Sequence, residues 1–209
     1  MSKKLLIWDF DGVIIGSWEM SFELTKQQYP NISEADHRAL FNGNIYQELA
    51  KLSKTGISDE EFQKYLAENY YPQKEKIFPI PGIDEEIRKL AVHYDMVINT
   101  SSTAANVEPY LSRHGLREFF QKIYGIEISY SKEEKFKMIL DEYQLSPSDC
   151  VMITDTVGDV IEARTFNIPS IISLWGYQLK EHFDSHSTIE LVEDPRELAN
   201  VVNKHFGVK

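Results

Sequence analysis

The sequence predicts a doubly wound, Rossmann-like α/β fold whose parallel sheet carries an inserted all-helical cap. Three observations predict it. Short apolar runs without polar alternation recur along the chain, as in strands covered on both faces. Helical patterns lie between most of these runs, so the strands they connect should be parallel. One long stretch, residues 17–78, holds helical patterns and no convincing strand.

The first strand is Leu5 to Trp8, and acids follow it at once. The insert comes next, with helices expected over Trp18 to Tyr29, Ser33 to Phe41, Ile45 to Leu52 and Ser58 to Tyr70. Asn31-Ile32-Ser33 is a helix start signal, and Ser58-Asp59-Glu60-Glu61 has the form of a capping box with Ser58 as N-cap. The insert's aromatics, Trp18, Phe22, Tyr29, Phe41, Tyr46, Phe62 and Tyr65, sit at helical spacings and are read mostly as its own core, while Tyr70-Tyr71 near its end is a candidate lining of a substrate cavity. Pro79-Ile80-Pro81-Gly82 punctuates the return to the α/β pattern. There the helix Asp84 to His93 leads to the strand Met96 to Ile98. The helix Ala105 to His114, ended by Gly115, leads to the strand Ile123 to Ile128. Lys132 to Tyr143 and Val157 to Phe166 are the remaining helices, and Val151 to Ile153 and Ser170 to Leu174 the remaining strands. The expected division is a catalytic core of residues 1–16 and 79–209 around a helical cap of residues 17–78.

Composition bounds what this fold can do. The chain has 209 residues, 42% of them hydrophobic and 26% charged, as in ordinary globular proteins. Its single cysteine, Cys150, rules out a disulfide-built scaffold and precedes a buried strand, where a small core residue is expected. No run approaches the ~18 apolar residues of a membrane helix, and Leu5 to Trp8 is too short for a signal sequence. The reading is a cytoplasmic protein without membrane contact, a monomer or a homodimer. Twenty-two basic against 33 acidic residues leave a net charge of −11, which argues against nucleic acid as a partner. A phosphorylated small molecule would then need a local device such as a metal ion, a helix N-terminus or a placed lysine.

Such a device is assembled at the strand ends, where open α/β sheets bind ligands. Asp9-Phe10-Asp11-Gly12-Val13 follows the first strand, Asn99-Thr100-Ser101-Ser102 follows Met96 to Ile98, and Thr154-Asp155-Thr156-Val157-Gly158-Asp159 follows Val151 to Ile153. Ser131-Lys132-Glu133-Glu134-Lys135 opens a helix beyond the third strand. Four converging carboxylates repel one another unless a cation sits among them, and oxygen ligands with retained water favour Mg²⁺. Hydroxyl and N–H groups at Thr100 and Ser101, opening a helix, would cradle an anion that a lysine also holds. Side chains at i and i+2 leave a strand on the same face, so Asp9 and Asp11 can divide attack and proton transfer between them.

With these motifs in order, the chain resembles the haloacid dehalogenase-like hydrolase superfamily, in its phosphatase branch with a helical cap. Asp9-Phe10-Asp11-Gly12-Val13 matches the first motif, Val97-Ile98-Asn99-Thr100 the second, Lys132 the third and Asp155-Thr156-Val157-Gly158-Asp159 the fourth. Trp175-Gly176-Tyr177 and the closing Asp194-Pro195-Arg196-Glu197-Leu198 are similar to the tail of phosphoglycolate phosphatase-like members. The resemblance implies Asp9 as nucleophile, forming an aspartyl-phosphate, and Asp11 as acid and base. It implies Mg²⁺ on the Asp9 carboxylate, the Asp11 carbonyl and Asp155, with Asp159 in support, and Thr100 and Lys132 on the phosphoryl oxygens. Gly16 stands where many relatives carry an acid or amide facing the cap, Thr154 replaces a usual glycine, and the third motif lacks a proline, so Lys135 competes with Lys132.

The implied function is hydrolysis of a small phosphorylated metabolite. A phosphomutase of the β-phosphoglucomutase type is the alternative. It would want basic residues in the cap facing the site, and Lys26, Arg38, Lys51, Lys54, Lys64, Lys74 and Lys76 form no cluster in the sequence. A non-catalytic binding relative would need a broken site, and these motifs are intact. Gly12 is misplaced for an EF-hand, and His182 and His186 lack the glutamate of a zinc motif.

Overall fold

Strand β1 (Leu5–Trp8) is wholly buried and lies at the centre of the sheet. The computed structural model describes residues 4–52, 64–186 and 189–208. The other strands are β2 (Asp95–Asn99), β3 (Lys122–Tyr124), β4 (Cys150–Thr154), β5 (Ser170–Ser173) and β6 (Ile189–Val192). All pair in parallel, in the order β3-β2-β1-β4-β5-β6. The order reverses between β1 and β4, so a crevice opens beyond the ends of these two strands.

Alternation of side chains across each strand divides the core in two. Leu6, Trp8, Met96, Ile98, Val151 and Ile153 pack with Ile83, Ile87, Leu198 and Val202 on one face. Leu5, Ile7, Val97, Cys150 and Met152 pack with Phe136, Ile139 and Ala163 on the other. Helices therefore cover both faces, as the unalternated strand sequences require. Cys150 is buried in this core and free.

Two strand assignments need correction. The expected strand Ile123 to Ile128 pairs only as far as Tyr124. Beyond it, Ile126 N–H turns to Ser102 O, and the Glu127 carboxylate accepts from Ala104 N–H. Strand β6 has no counterpart in the sequence reading. It is an edge strand with Leu191 exposed and Val192 buried.

Between β1 and β2 lie the helices Trp18–Gln28, Glu34–Ala39 and Ile45–Leu52, then a π-helical turn Leu66–Tyr70 running into Tyr71–Lys74. Ser33 caps its helix through a reciprocal pair with Asp36. The expected capping box at Ser58 lies outside the described residues. The insert sits over the C-terminal ends of the strands. Tyr46 OH donates to Ser101 O at 2.6 Å, Asn44 Nδ2 to Tyr130 O at 3.0 Å, and Gln178 Nε2 to Asn42 Oδ1 at 2.7 Å. Its aromatics serve the insert's own core and also its junction with the sheet, and Phe62 lies outside the described residues. Trp18 and Phe22 stack at 5.5 Å within the insert, whereas Phe41 packs on Tyr177 and Tyr46 on Tyr130 across the junction. Among the described residues no helix is long and apolar enough to cross a membrane.

Candidate active site

Asp9 is the first residue beyond β1 and stays tied to the sheet, its N–H donating to Ile153 O at 2.9 Å. Its carboxylate accepts from Phe10 N–H at 2.7 Å and faces Lys132 Nζ at 2.9 Å. Burial pushes the Asp9 carboxyl up, Lys132 pulls it down and Asp159 pushes it up again, to a net value of about 7. Lys132 begins the helix Lys132–Tyr143, which Ser131 caps. Its Nζ also meets Asp159 Oδ2 at 2.6 Å, and Thr154 Oγ1 donates to that oxygen at 2.6 Å. Burial opposes the charge on Lys132, but Asp159 and Asp9 outweigh burial and hold the ammonium protonated.

Lys135 occupies a different position. Its Nζ donates to Thr100 O at 2.7 Å, and burial, with help from Lys132, pushes its ammonium down to about 8. Of the two candidate lysines, only Lys132 is paired with the carboxylates.

Asp155 follows β4 and is fully buried. One oxygen accepts from Tyr177 N–H at 2.6 Å, and the other, Oδ1, has no hydrogen-bond partner among the described residues. Burial raises its carboxyl well above the usual range, and the charge on Asp9 adds to the shift. This buried, unpartnered oxygen beside another carboxylate fits a hard divalent cation. Among the described residues no three His, Cys, Asp or Glu side chains form a ready cage. Asp9 and Asp155 are the carboxylates open to such an ion; Mg²⁺ needs only one or two and keeps several waters.

Gly12 and Gly176 make room for Asp155. A Cβ on either would overlap the Asp155 side chain, and Gly12 also holds φ at +77°. Gly12→Ala is expected to shift Asp155, to destabilise by about 1–3 kcal/mol and to weaken divalent-ion binding. Melting curves with and without Mg²⁺ check this; a variant with wild-type Mg²⁺ response would contradict it.

Asp11 points the other way, toward the insert. Lys74 Nζ lies 2.5 Å from Asp11 Oδ2, with Ser102 Oγ at 2.9 Å, Ser17 Oγ at 2.8 Å from Oδ1 and Tyr70 OH at 3.2 Å. Burial would raise this carboxyl, but the charge and hydrogen bonds of Lys74, with those of Ser17 and Ser102, bring it below the usual range. Sequence reasoning missed Lys74 and Ser102 as site residues. Nothing local to Tyr71-Pro72-Gln73-Lys74 signals a partner 63 residues away.

The hydroxyl loop also departs from expectation. The helix opens at Ala104 after Thr103, so Thr100 and Ser101 do not open it. Thr100 is buried, and its Oγ1 accepts from Ser102 N–H at 3.0 Å. Both Thr100 and Ser101 still line the cavity above Asp9, as do Tyr70 and Tyr71.

These features have known counterparts. The haloacid dehalogenase-like hydrolase family matches residues 6–173. A phosphoglycolate phosphatase of Psychrobacter arcticus is 23% identical, over 99% of this chain and 98% of its own. A haloacid dehalogenase-like hydrolase from Streptococcus pneumoniae superposes with a TM-score of 0.76 at 19% identity, covering 96% of this chain and 99% of that one. A Thermotoga maritima protein described as a β-phosphoglucomutase gives 0.69 at 18% identity, covering 96% and 99%. With its six-stranded parallel sheet and acids at the ends of β1 and β4, the chain belongs to the haloacid dehalogenase-like hydrolase family.

Proposed function

We propose that the protein is a Mg²⁺-dependent phosphatase of a small phosphorylated metabolite, with the helical insert, residues 17–78, acting as a cap. The observation that carries the reading is the pairing of buried Asp9 with Lys132 beneath a cavity that the insert roofs. Phosphoryl transfer needs a held nucleophile, neutralised charge and exclusion of bulk water, and these residues supply all three.

In this reading an Asp9 oxygen attacks phosphorus, the ester P–O bond breaks, and Asp11 protonates the departing oxygen. Water then attacks the aspartyl-phosphate and gives its proton to Asp11, releasing inorganic phosphate and free Asp9. Asp11, held ionised by Lys74, is in the state that second step needs. Its protonated form in the first step requires that contact to relax. Lys132 and the Thr100-Ser101 loop would hold phosphoryl oxygens. Mg²⁺ would be held by Asp9 and Asp155, where it would neutralise charge on the phosphoryl group. Asp159 supports indirectly, since its oxygen is committed to Lys132 and Thr154.

The mutase alternative needs a second phosphate site in the cap. Lys74 does reach the centre, but Asp11 and Ser102 engage it. Arg38 lies over the Trp18 ring and donates to Tyr177 O. Hydrolysis is the better reading.

Removing the metal tests it. EDTA is expected to stop phosphate release from a simple phosphomonoester and Mg²⁺ to restore it. Mg²⁺ should also raise the melting temperature, because it relieves repulsion between Asp9 and Asp155. Full activity without metal would contradict this function.

A further inference from the structure

The cavity above Asp9 has a volume of about 150 Å³. A cavity of roughly that size holds a benzene-sized group. Its wall includes Tyr29, Phe41, Tyr46, Tyr65, Tyr71 and Tyr177. Several of these hydroxyls are already committed: Tyr46 OH to Ser101 O at 2.6 Å, Tyr65 OH to Leu24 O at 3.0 Å, and Tyr177 OH with Ser17 Oγ at 3.0 Å. The wall thus presents mainly ring surface, with the Tyr71 hydroxyl as a neutral buried donor that has no hydrogen-bond partner among the described residues, and ring faces repel anions.

Charge in the cavity points the same way. Among the described residues Lys132 is the only Lys or Arg lining it, and Asp9 and Asp159 neutralise that cation. His37 also lines it, but burial pushes its pKa down to about 4, so the ring is neutral near pH 7. Beyond the aspartates the wall adds an acid, Glu162, which accepts from Asn44 Nδ2 at 3.4 Å. Burial and then Asp159 push the Glu162 carboxyl up, as in a space that already penalises negative charge.

We infer that the substrate's leaving group is an alcohol with an apolar, ring-sized body and no negative charge, recognised by the tyrosine-rich wall and discriminated by Glu162. Phosphoglycolate, with its carboxylate, does not fit that description. The inference rests on the phosphatase reading above and narrows it to a substrate class.

The full chain with Mg²⁺ can be assayed for phosphate release from benzyl phosphate, 4-carboxybenzyl phosphate, phosphoglycolate and acetyl phosphate. We expect kcat/KM for benzyl phosphate to exceed that for either carboxylated ester by at least about tenfold, the penalty of an unpaired buried polar group. Glu162→Gln should narrow the gap between the two benzyl esters by raising kcat/KM for the carboxylated one; an unchanged gap would overturn the role of Glu162. Equal or better turnover of a carboxylated ester by the unaltered chain would overturn the substrate class. So would hydrolysis of acetyl phosphate alone, although the phosphatase reading would then stand. Failure to hydrolyse any of the four would overturn both.

Discussion

Asp9→Asn is expected to lower turnover by roughly 10⁴–10⁶-fold, the scale seen when a nucleophile is removed from a cooperating site. An amide at this position cannot form the acyl-phosphate, so the acid-quenched protein should show no phosphoryl adduct by mass spectrometry, where the unaltered chain is expected to show one. The fold should survive. Burial holds the Asp9 carboxyl near 7, so the group's folded-state pKa lies above its unfolded value. Its ionisation therefore lowers stability as pH rises through that range, and an amide escapes the penalty. Against this, the amide leaves Lys132 with Asp159 as its one carboxylate partner. The two effects oppose each other, and the melting temperature should move by less than about 4 °C, equivalent to about 1 kcal/mol in a chain of this size. A folded variant with turnover near that of the unaltered chain would place the nucleophile elsewhere.

What the sequence reveals depends on how local the signal is. Strand β1 and the helix Lys132–Tyr143 have the expected bounds because an unbroken apolar run and a serine N-cap leave little freedom. Edge strand β6 escapes because a run of only four residues, interrupted by Glu190, is too short to stand out. In the site, Asp9, Asp11, Asp155 and Asp159 are legible because parallel strands must end on one side of the sheet, which brings their following residues together. The direction each carboxylate faces is not legible. Lys74 captures Asp11, Lys132 captures Asp159, and Asp155 leans on the Tyr177 N–H, with partners 63, 27 and 22 residues away. Within the Thr100-Ser101-Ser102 loop the hydroxyl that reaches Asp11 is that of Ser102, two positions past Thr100, because the helix begins later than its hydroxyl-rich approach suggests. Lys132 could be separated from Lys135 only through the acids each one meets, since both lie on the same buried helix face.

Lys132→Met tests that separation and carries the largest expected loss of stability. The ammonium is buried between Asp9 Oδ2 at 2.9 Å and Asp159 Oδ2 at 2.6 Å. Methionine fills similar space but leaves both carboxylates in the interior without their shared cation, with only the Phe10 N–H on Asp9 and the Thr154 hydroxyl on Asp159. Breaking a buried ion pair from one side costs about 3–5 kcal/mol, which corresponds to a melting temperature lower by roughly 6–20 °C. Activity should fall with it, by on the order of 10³-fold, because the one side-chain cation assigned to the phosphoryl oxygens is then gone. Adding Asp159→Asn separates the two effects: it removes one stranded carboxylate, so the double variant should regain stability while remaining inactive. Lys135→Met gives the contrast, because that lysine serves the Thr100 carbonyl and bonds to neither acid. It should retain far more activity than Lys132→Met. Comparable activity losses in the two single variants, or recovery of turnover in the double variant, would mean that Lys132 acts only as a structural counter-ion and that another group binds the phosphate.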